Sequence, residues 1–142
     1  MKKQKMNDLG KKILLVDDEP DIRSYLCSVL EENSFRAFTA GNVETGMQLL
    51  EDIEPDLVCL DIMMPKRSGI SMYAAMKEDE RFRQVPVIII SGIVEEGKFN
   101  FRKFLADESV PPPEQYLEKP VKIDEFIALI KSLICKNSRE KD

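Results

Sequence analysis

The sequence contains no histidine, which removes imidazole as general base, proton relay and metal ligand. Cysteine is scarce as well. Cys27, Cys59 and Cys135 are odd in number, widely spaced and in no CxxC pair; this argues against a disulfide framework or a zinc site and leaves them as small apolar packing residues. No apolar stretch approaches the roughly 20 residues needed to cross a bilayer, and the amino terminus lacks the apolar segment of a secretion signal. The cytoplasm is the expected compartment. Nor is there an excess of positive charge: 21 basic residues face 26 acidic ones, so no general attraction to nucleic acid or to an anionic membrane is expected. The sequence also lacks internal repeats and a second hydrophobic block. Its 142 residues suit one domain with a real core.

What is present is a set of short apolar runs that stop abruptly. Ile13-Leu14-Leu15-Val16 stops at Asp17-Asp18, Leu57-Val58-Cys59-Leu60 at Asp61, and Val85-Pro86-Val87-Ile88-Ile89-Ile90 at Ser91. A weaker run around Tyr116-Leu117 is followed by Glu118-Lys119-Pro120. Val- and Ile-rich runs of four to six residues separated by amphipathic stretches read as central strands of a parallel sheet covered on both faces. In such sheets ligands bind at the carboxyl edge. The polar stops, distant in sequence, should therefore meet in one crevice. A further strand is expected at 36–39.

The intervening stretches carry helical spacing. Pro20 can open a helix that buries Ile22, Tyr25, Leu26, Val29 and Leu30. Asn42 can cap a second, with Val43, Met47 and Leu50 inward, and Pro55 bars its continuation. After a loop containing Met64, Pro65 and Gly69, the residues Ile70, Tyr73, Ala74 and Met76 suggest a third helix ending near Arg81. A fourth is expected over 95–107, with Phe101, Phe104 and Leu105 inward. Pro111-Pro112-Pro113 then forces an extended connection. The last helix is expected to start at Asp124 as its cap and to bury Phe126, Ile127, Ile130, Leu133 and Ile134. Five alternations of strand and helix describe a three-layer α/β domain. Residues 1–10, rich in lysine, read as a mobile leader and 137–142 as a charged tail, leaving 11–136 as the folded unit.

Three crowded carboxylates, Asp17, Asp18 and Asp61, need a cation to offset their charge, and an all-oxygen site that keeps several waters suits Mg²⁺. A carboxylate can also attack phosphorus to give an acyl phosphate. Such a transfer needs mainly positioning and neutralisation of the phosphoryl oxygens. Mg²⁺, the Lys119 ammonium and the Ser91 hydroxyl with nearby backbone N–H groups supply one partner each. Asp61 is the preferred nucleophile, because it alone ends a central run without an acidic neighbour in sequence.

At these residues the chain resembles the receiver domain of bacterial response regulators. The matching motifs are Leu15-Val16-Asp17-Asp18-Glu19-Pro20, Asp61-Ile62-Met63-Met64-Pro65 with Gly69, Ser91-Gly92, and Tyr116-Leu117-Glu118-Lys119-Pro120. Each is weak alone; their joint order and spacing are specific. The resemblance implies a flavodoxin-like fold with strand order 2-1-3-4-5 and five helices, and phosphorylation of Asp61 by a partner histidine kinase or histidine phosphotransfer protein. It implies Mg²⁺ held by Asp18, Asp61 and the Met63 backbone carbonyl, with Asp17 acting through water. It further implies that Lys119 contacts the phosphoryl group, that the Lys119–Pro120 peptide is cis, that Ser91 swings toward the phosphate and that Tyr116 rotates inward. The expected product is a switch that presents an altered surface to a downstream protein, rather than to an output domain in the same chain.

Two features depart from the usual pattern. The 24 residues between Ser91 and Tyr116 are several more than a typical receiver has, so the dimerisation modes of the family do not transfer directly and a homodimer stays open. The positions two after Asp61 and two after Ser91, which in the family influence water attack, are the apolar Met63 and Ile93; a slowly hydrolysing aspartyl phosphate is expected. Three rival readings are a phosphate-independent binding module, an aspartate-nucleophile phosphohydrolase and a flavin-binding protein. The phosphohydrolase needs an acid where Met63 stands, and the flavin protein needs a phosphate-cradling loop after the first strand, which this sequence lacks.

Overall fold

A computed structural model describes residues 10–62, 69–92, 111, 113 and 115–141, with side chains described as far as Cys135. Five strands, β1 (Lys12–Val16), β2 (Arg36–Ala40), β3 (Leu57–Asp61), β4 (Val87–Ser91) and β5 (Gln115–Glu118), form one sheet in the order β2-β1-β3-β4-β5. Every neighbouring pair is parallel. Helices α1 (Pro20–Glu32), α2 (Val43–Ile53), α3 (Gly69–Lys77) and a final helix (Ile123–Lys141) complete the described elements. The helix expected over 95–107, with Phe101, Phe104 and Leu105, lies outside the described residues.

Side-chain alternation divides each central strand between two cores. Ile13, Leu15, Leu57, Cys59, Ile88 and Ile90 join Leu26, Leu30, Phe126 and Ile130 on one face of the sheet. Leu14, Val16, Val58, Leu60, Val87 and Ile89 join Leu50, Ile70, Met72 and Tyr73 on the other. Period-two alternation with both faces apolar explains why β1, β3 and β4 read as unbroken hydrophobic runs. The final helix buries Phe126, Ile127, Ile130, Leu133 and Ile134, each worth about 1.5–3 kcal/mol.

The helix ends follow local chemistry. Pro20 occupies the first turn of α1, where its missing N–H costs nothing. At the other end Ser34 adopts a left-handed φ of 72°, while Phe35 N–H donates to the Leu30 carbonyl and Ser34 N–H to that of Glu31. This is a Schellman closure, with Phe35 and Leu30 packed in the same core. The Asn42 side chain accepts from Thr45 N–H at 2.8 Å, so Asn42 caps α2 as its residue type suggests.

Four local expectations need correction. Tyr25 is 54% exposed, because it sits at the margin of the stripe made by Leu26, Val29 and Leu30. Helix α3 ends at Lys77 rather than near Arg81. The Lys77 ammonium donates to the carbonyls of Arg83 and Val85 at 3.0 and 2.9 Å, holding the following turns against the helix end. Met72 is fully buried together with Tyr73, so α3 is covered over a wider arc than one stripe. Finally, Asp124 lies inside the first turn of the last helix, whose Phe126 N–H donates to the Lys122 carbonyl. That helix continues to Lys141, into the stretch set apart above as a charged tail.

Candidate functional site

Parallel register brings the polar stops to one edge in steps. Val16 at the end of β1 pairs with Leu60, so Asp17 and Asp61 follow at the same level. Asp61 pairs with Ile90 and Ser91 with Glu118, which places Ser91 and Lys119 one residue further out on their strands. Backbone bonds fix the outermost steps: Asp17 N–H donates to the Ala40 carbonyl and Lys119 N–H to that of Ser91, both at 3.0 Å. The Lys119–Pro120 peptide is cis.

Three polar side chains at this edge are buried: Asp17, Asp61 and Ser91. The Lys119 ammonium reaches into the same place, 2.6 Å from a Glu19 oxygen, 3.0 Å from Asp17 and 3.4 Å from Asp61. Two nearly inaccessible carboxylates would be costly without a counter-charge, and Lys119 supplies it. Burial of the lysine works to lower its pKa, but hydrogen bonds to Glu19 and Asp17 and the attraction of Asp61 and Asp17 outweigh it. The net effect holds the ammonium protonated well above the ordinary lysine range.

Carboxylate oxygens of Asp17, Glu19 and Asp61 lie within 4.8 Å of one another. A donor set made only of oxyanions fits a hard divalent cation and excludes soft thiophilic metals. Asp18 is half-buried at the end of β1 and is outside that group. Met63, whose carbonyl the resemblance assigns to the metal, lies outside the described residues, as does Ile93. Glu19 is the residue whose place here sequence reasoning missed. The chain bends at Asp18 as it leaves β1, and the bond from Glu19 N–H to Asp17 Oδ1 brings Glu19 back beside Asp17, a local turn that strand periodicity does not signal.

Backbone anchors fix this corner. Glu19 N–H donates to Asp17 Oδ1 at 2.9 Å, and the Arg23 guanidinium to the Asp17 carbonyl at 2.8 Å. Gly69 opens α3 directly over the Asp61 peptide, where an added Cβ would stand 2.3 Å from the Asp61 carbonyl oxygen. Gly92 borders the lysine stem loosely, with a Cβ there 3.9 Å from Lys119. Tyr116 on β5 is 37% exposed. The thiol of Cys59 is fully buried and its pKa pushed far up by desolvation, which makes it a packing group rather than a nucleophile.

A doubly wound parallel sheet with an acidic pocket and a lysine at its carboxyl edge defines a flavodoxin-like α/β domain built to handle a charged ligand there. The family model described as response regulator receiver domain matches residues 13–131, and the chain belongs to that family, the phospho-accepting switches of two-component signalling, for which aspartate phosphorylation and Mg²⁺ binding are typical. The phosphate regulon transcriptional regulatory protein PhoB of Escherichia coli is 32% identical over 127 residues, covering 89% of this chain and 52% of its own length. Hybrid signal transduction histidine kinase D of Dictyostelium discoideum is 29% identical, covering 86% of this chain and 7% of its own. The chain thus spans about half the length of the transcriptional regulators it matches. Among solved structures, a CheY-like receiver domain protein of Methanospirillum hungatei superposes with a TM-score of 0.79 at 21% identity, covering 92% of this chain and 98% of its own. The response regulator TrrA of Thermotoga maritima, in complex with Mg²⁺ and BeF, gives 0.71 at 29%, covering 87% and 98%.

Proposed function

We propose that this chain accepts a phosphoryl group on Asp61 from a phosphohistidine of a sensor kinase or phosphotransfer protein and thereby changes the surface offered to a downstream protein. The observation that carries the reading is the buried Asp61 carboxylate at the sheet edge with the Lys119 ammonium 3.4 Å away. In the transfer, an Asp61 oxygen forms a bond to phosphorus as the phosphorus–nitrogen bond of the donor breaks. The electron pair returns to the imidazole nitrogen, which takes up a proton. Lys119 neutralises one phosphoryl oxygen and the Ser91 hydroxyl, with the Gly92 backbone N–H beside it, binds another.

A divalent ion, Mg²⁺ by the hardness of the donors, would be held by Asp17, Asp18, Asp61 and the Met63 carbonyl, and supplies neutralisation of the remaining phosphoryl charge. On this reading Ser91 moves toward the new phosphate and Tyr116 turns into the space it leaves. The change would emerge near β5 and the final helix, within a receiver unit taken as residues 11–136. Coupling of a local charge to a surface in this way needs only a two-state element biased by the phosphate.

The test is incubation with Mg²⁺ and a small phosphoryl donor such as acetyl phosphate, followed by intact mass measurement. One phosphoryl group should be gained by the native protein and none by Asp61→Asn. Incorporation that survives in Asp61→Asn would sink the assignment. One observation favours a binding module that works without phosphate: Lys119 already satisfies the buried acids, and no buried side-chain N or O among the described residues lacks a partner. A native protein that takes up no phosphoryl group under these conditions would select that reading.

A further inference from the structure

The ammonium of Lys119 has three N–H donors and three carboxylates around it, yet they are not equivalent. The exposed one, Glu19, makes the shortest contact at 2.6 Å, and the buried proposed nucleophile, Asp61, the longest at 3.4 Å. A good charged N–H···O bond measures about 2.7–2.9 Å, so the contact with Asp61 is stretched while that with Glu19 is tight. The Glu19 backbone is fixed by its bond to Asp17 Oδ1 and by accepting from Arg23 N–H at 3.0 Å. Although it precedes α1, its side chain makes no capping hydrogen bond. That carboxylate is committed to Lys119.

We propose that Glu19 is a positioning residue that draws the Lys119 ammonium toward itself in the unphosphorylated protein, and so keeps the Lys119–Asp61 contact long and easily displaced by a divalent cation or by phosphorus. The inference rests on the receiver reading and adds to it a residue outside the expected metal and phosphoryl set. Without Glu19 the ammonium is left, among the described residues, with Asp17 and Asp61 as partners and settles on them. A cation must then displace a tighter internal ion pair. Glu19 gives the lysine a place to wait at the rim, from which a phosphoryl group later recovers it.

The experiment is a double-mutant cycle read by Mg²⁺ titration alone, with calorimetry or NMR shifts as readout and no phosphoryl donor present. Glu19→Ala should weaken Mg²⁺ binding about five- to tenfold while Lys119 is present, and at most about twofold in a Lys119→Met background, where only the lost long-range charge remains. Equal weakening in both backgrounds would make Glu19 a direct metal ligand and overturn the proposal. So would no weakening in either.

Should Lys119→Met fail to fold, a crystal structure of Glu19→Ala decides. The Lys119 Nζ–Asp61 hydrogen bond should shorten from 3.4 Å to about 2.8 Å, and an unmoved ammonium overturns the idea. A native protein that is phosphorylated on Asp61 while the cycle shows no coupling removes this inference and leaves the receiver reading standing. Failure of the native protein to bind Mg²⁺ removes both.

Discussion

At the scale of single residues, the site is organised by one lysine. Removing the Lys119 ammonium would take the counter-charge from Asp17 and Asp61, both almost inaccessible to water, and loss of one partner from a buried ion pair costs on the order of 3 kcal/mol. Its pKa is raised in the folded protein. The stabilisation it provides is therefore complete below the ordinary lysine pKa of about 10.4 and is lost only as pH climbs through the still higher folded value. Between pH 7 and 10 the stability difference between native protein and Lys119→Met should stay flat in urea titrations, and it should shrink only in more alkaline buffer. A difference that decays below pH 9 would show that the lysine is not held by these acids. Sequence could nominate Lys119 and Asp61, since each ends a run. It did not single out Glu19, because the bend at Asp18 that sets Glu19 beside Lys119 is not written in apolar periodicity.

At the scale of elements, caps and prolines were largely legible. Pro20 and Asn42 mark their helices, and Ser34 closes α1 although it is not the glycine usually found in that conformation. Contacts between elements were not legible. Gly69 shows why: its value lies in the approach of α3 to the Asp61 carbonyl, a contact between two elements rather than within one. Gly69→Ala should force the helix start away from β3 and cost about 1–3 kcal/mol, with a parallel loss in the rate of Asp61 phosphorylation by a small donor. Gly92→Ala, whose Cβ finds only ordinary contacts, should unfold within about 0.5 kcal/mol of the native protein. Equal unfolding midpoints for the two variants would contradict this reading of the α3–β3 approach. The end of α3 was misplaced for a related reason, since Lys77 binds carbonyls beyond the helix and polar surface periodicity does not reveal such a stop.

At the scale of the whole molecule, one sheet separates two cores that share strands but few side chains. Ile88 belongs to one core and Ile70 to the other. Ile88→Val and Ile70→Val should each cost about 1 kcal/mol, and the double variant should equal their sum within about 0.5 kcal/mol. Strong non-additivity in chemical unfolding would mean that the sheet transmits packing strain between its faces.

By itself the sequence determined the strands, the alternation with helices, and the acids and lysine that end the runs, because apolar periodicity and chain-breaking residues act locally. Only the tertiary structure decided that Asp17, Glu19 and Asp61 share one ammonium, that Gly69 lies over the Asp61 peptide, and that Tyr25 faces outward. Those outcomes depend on register across the sheet and on the exit angle of each strand, which are set by packing among residues far apart in the chain.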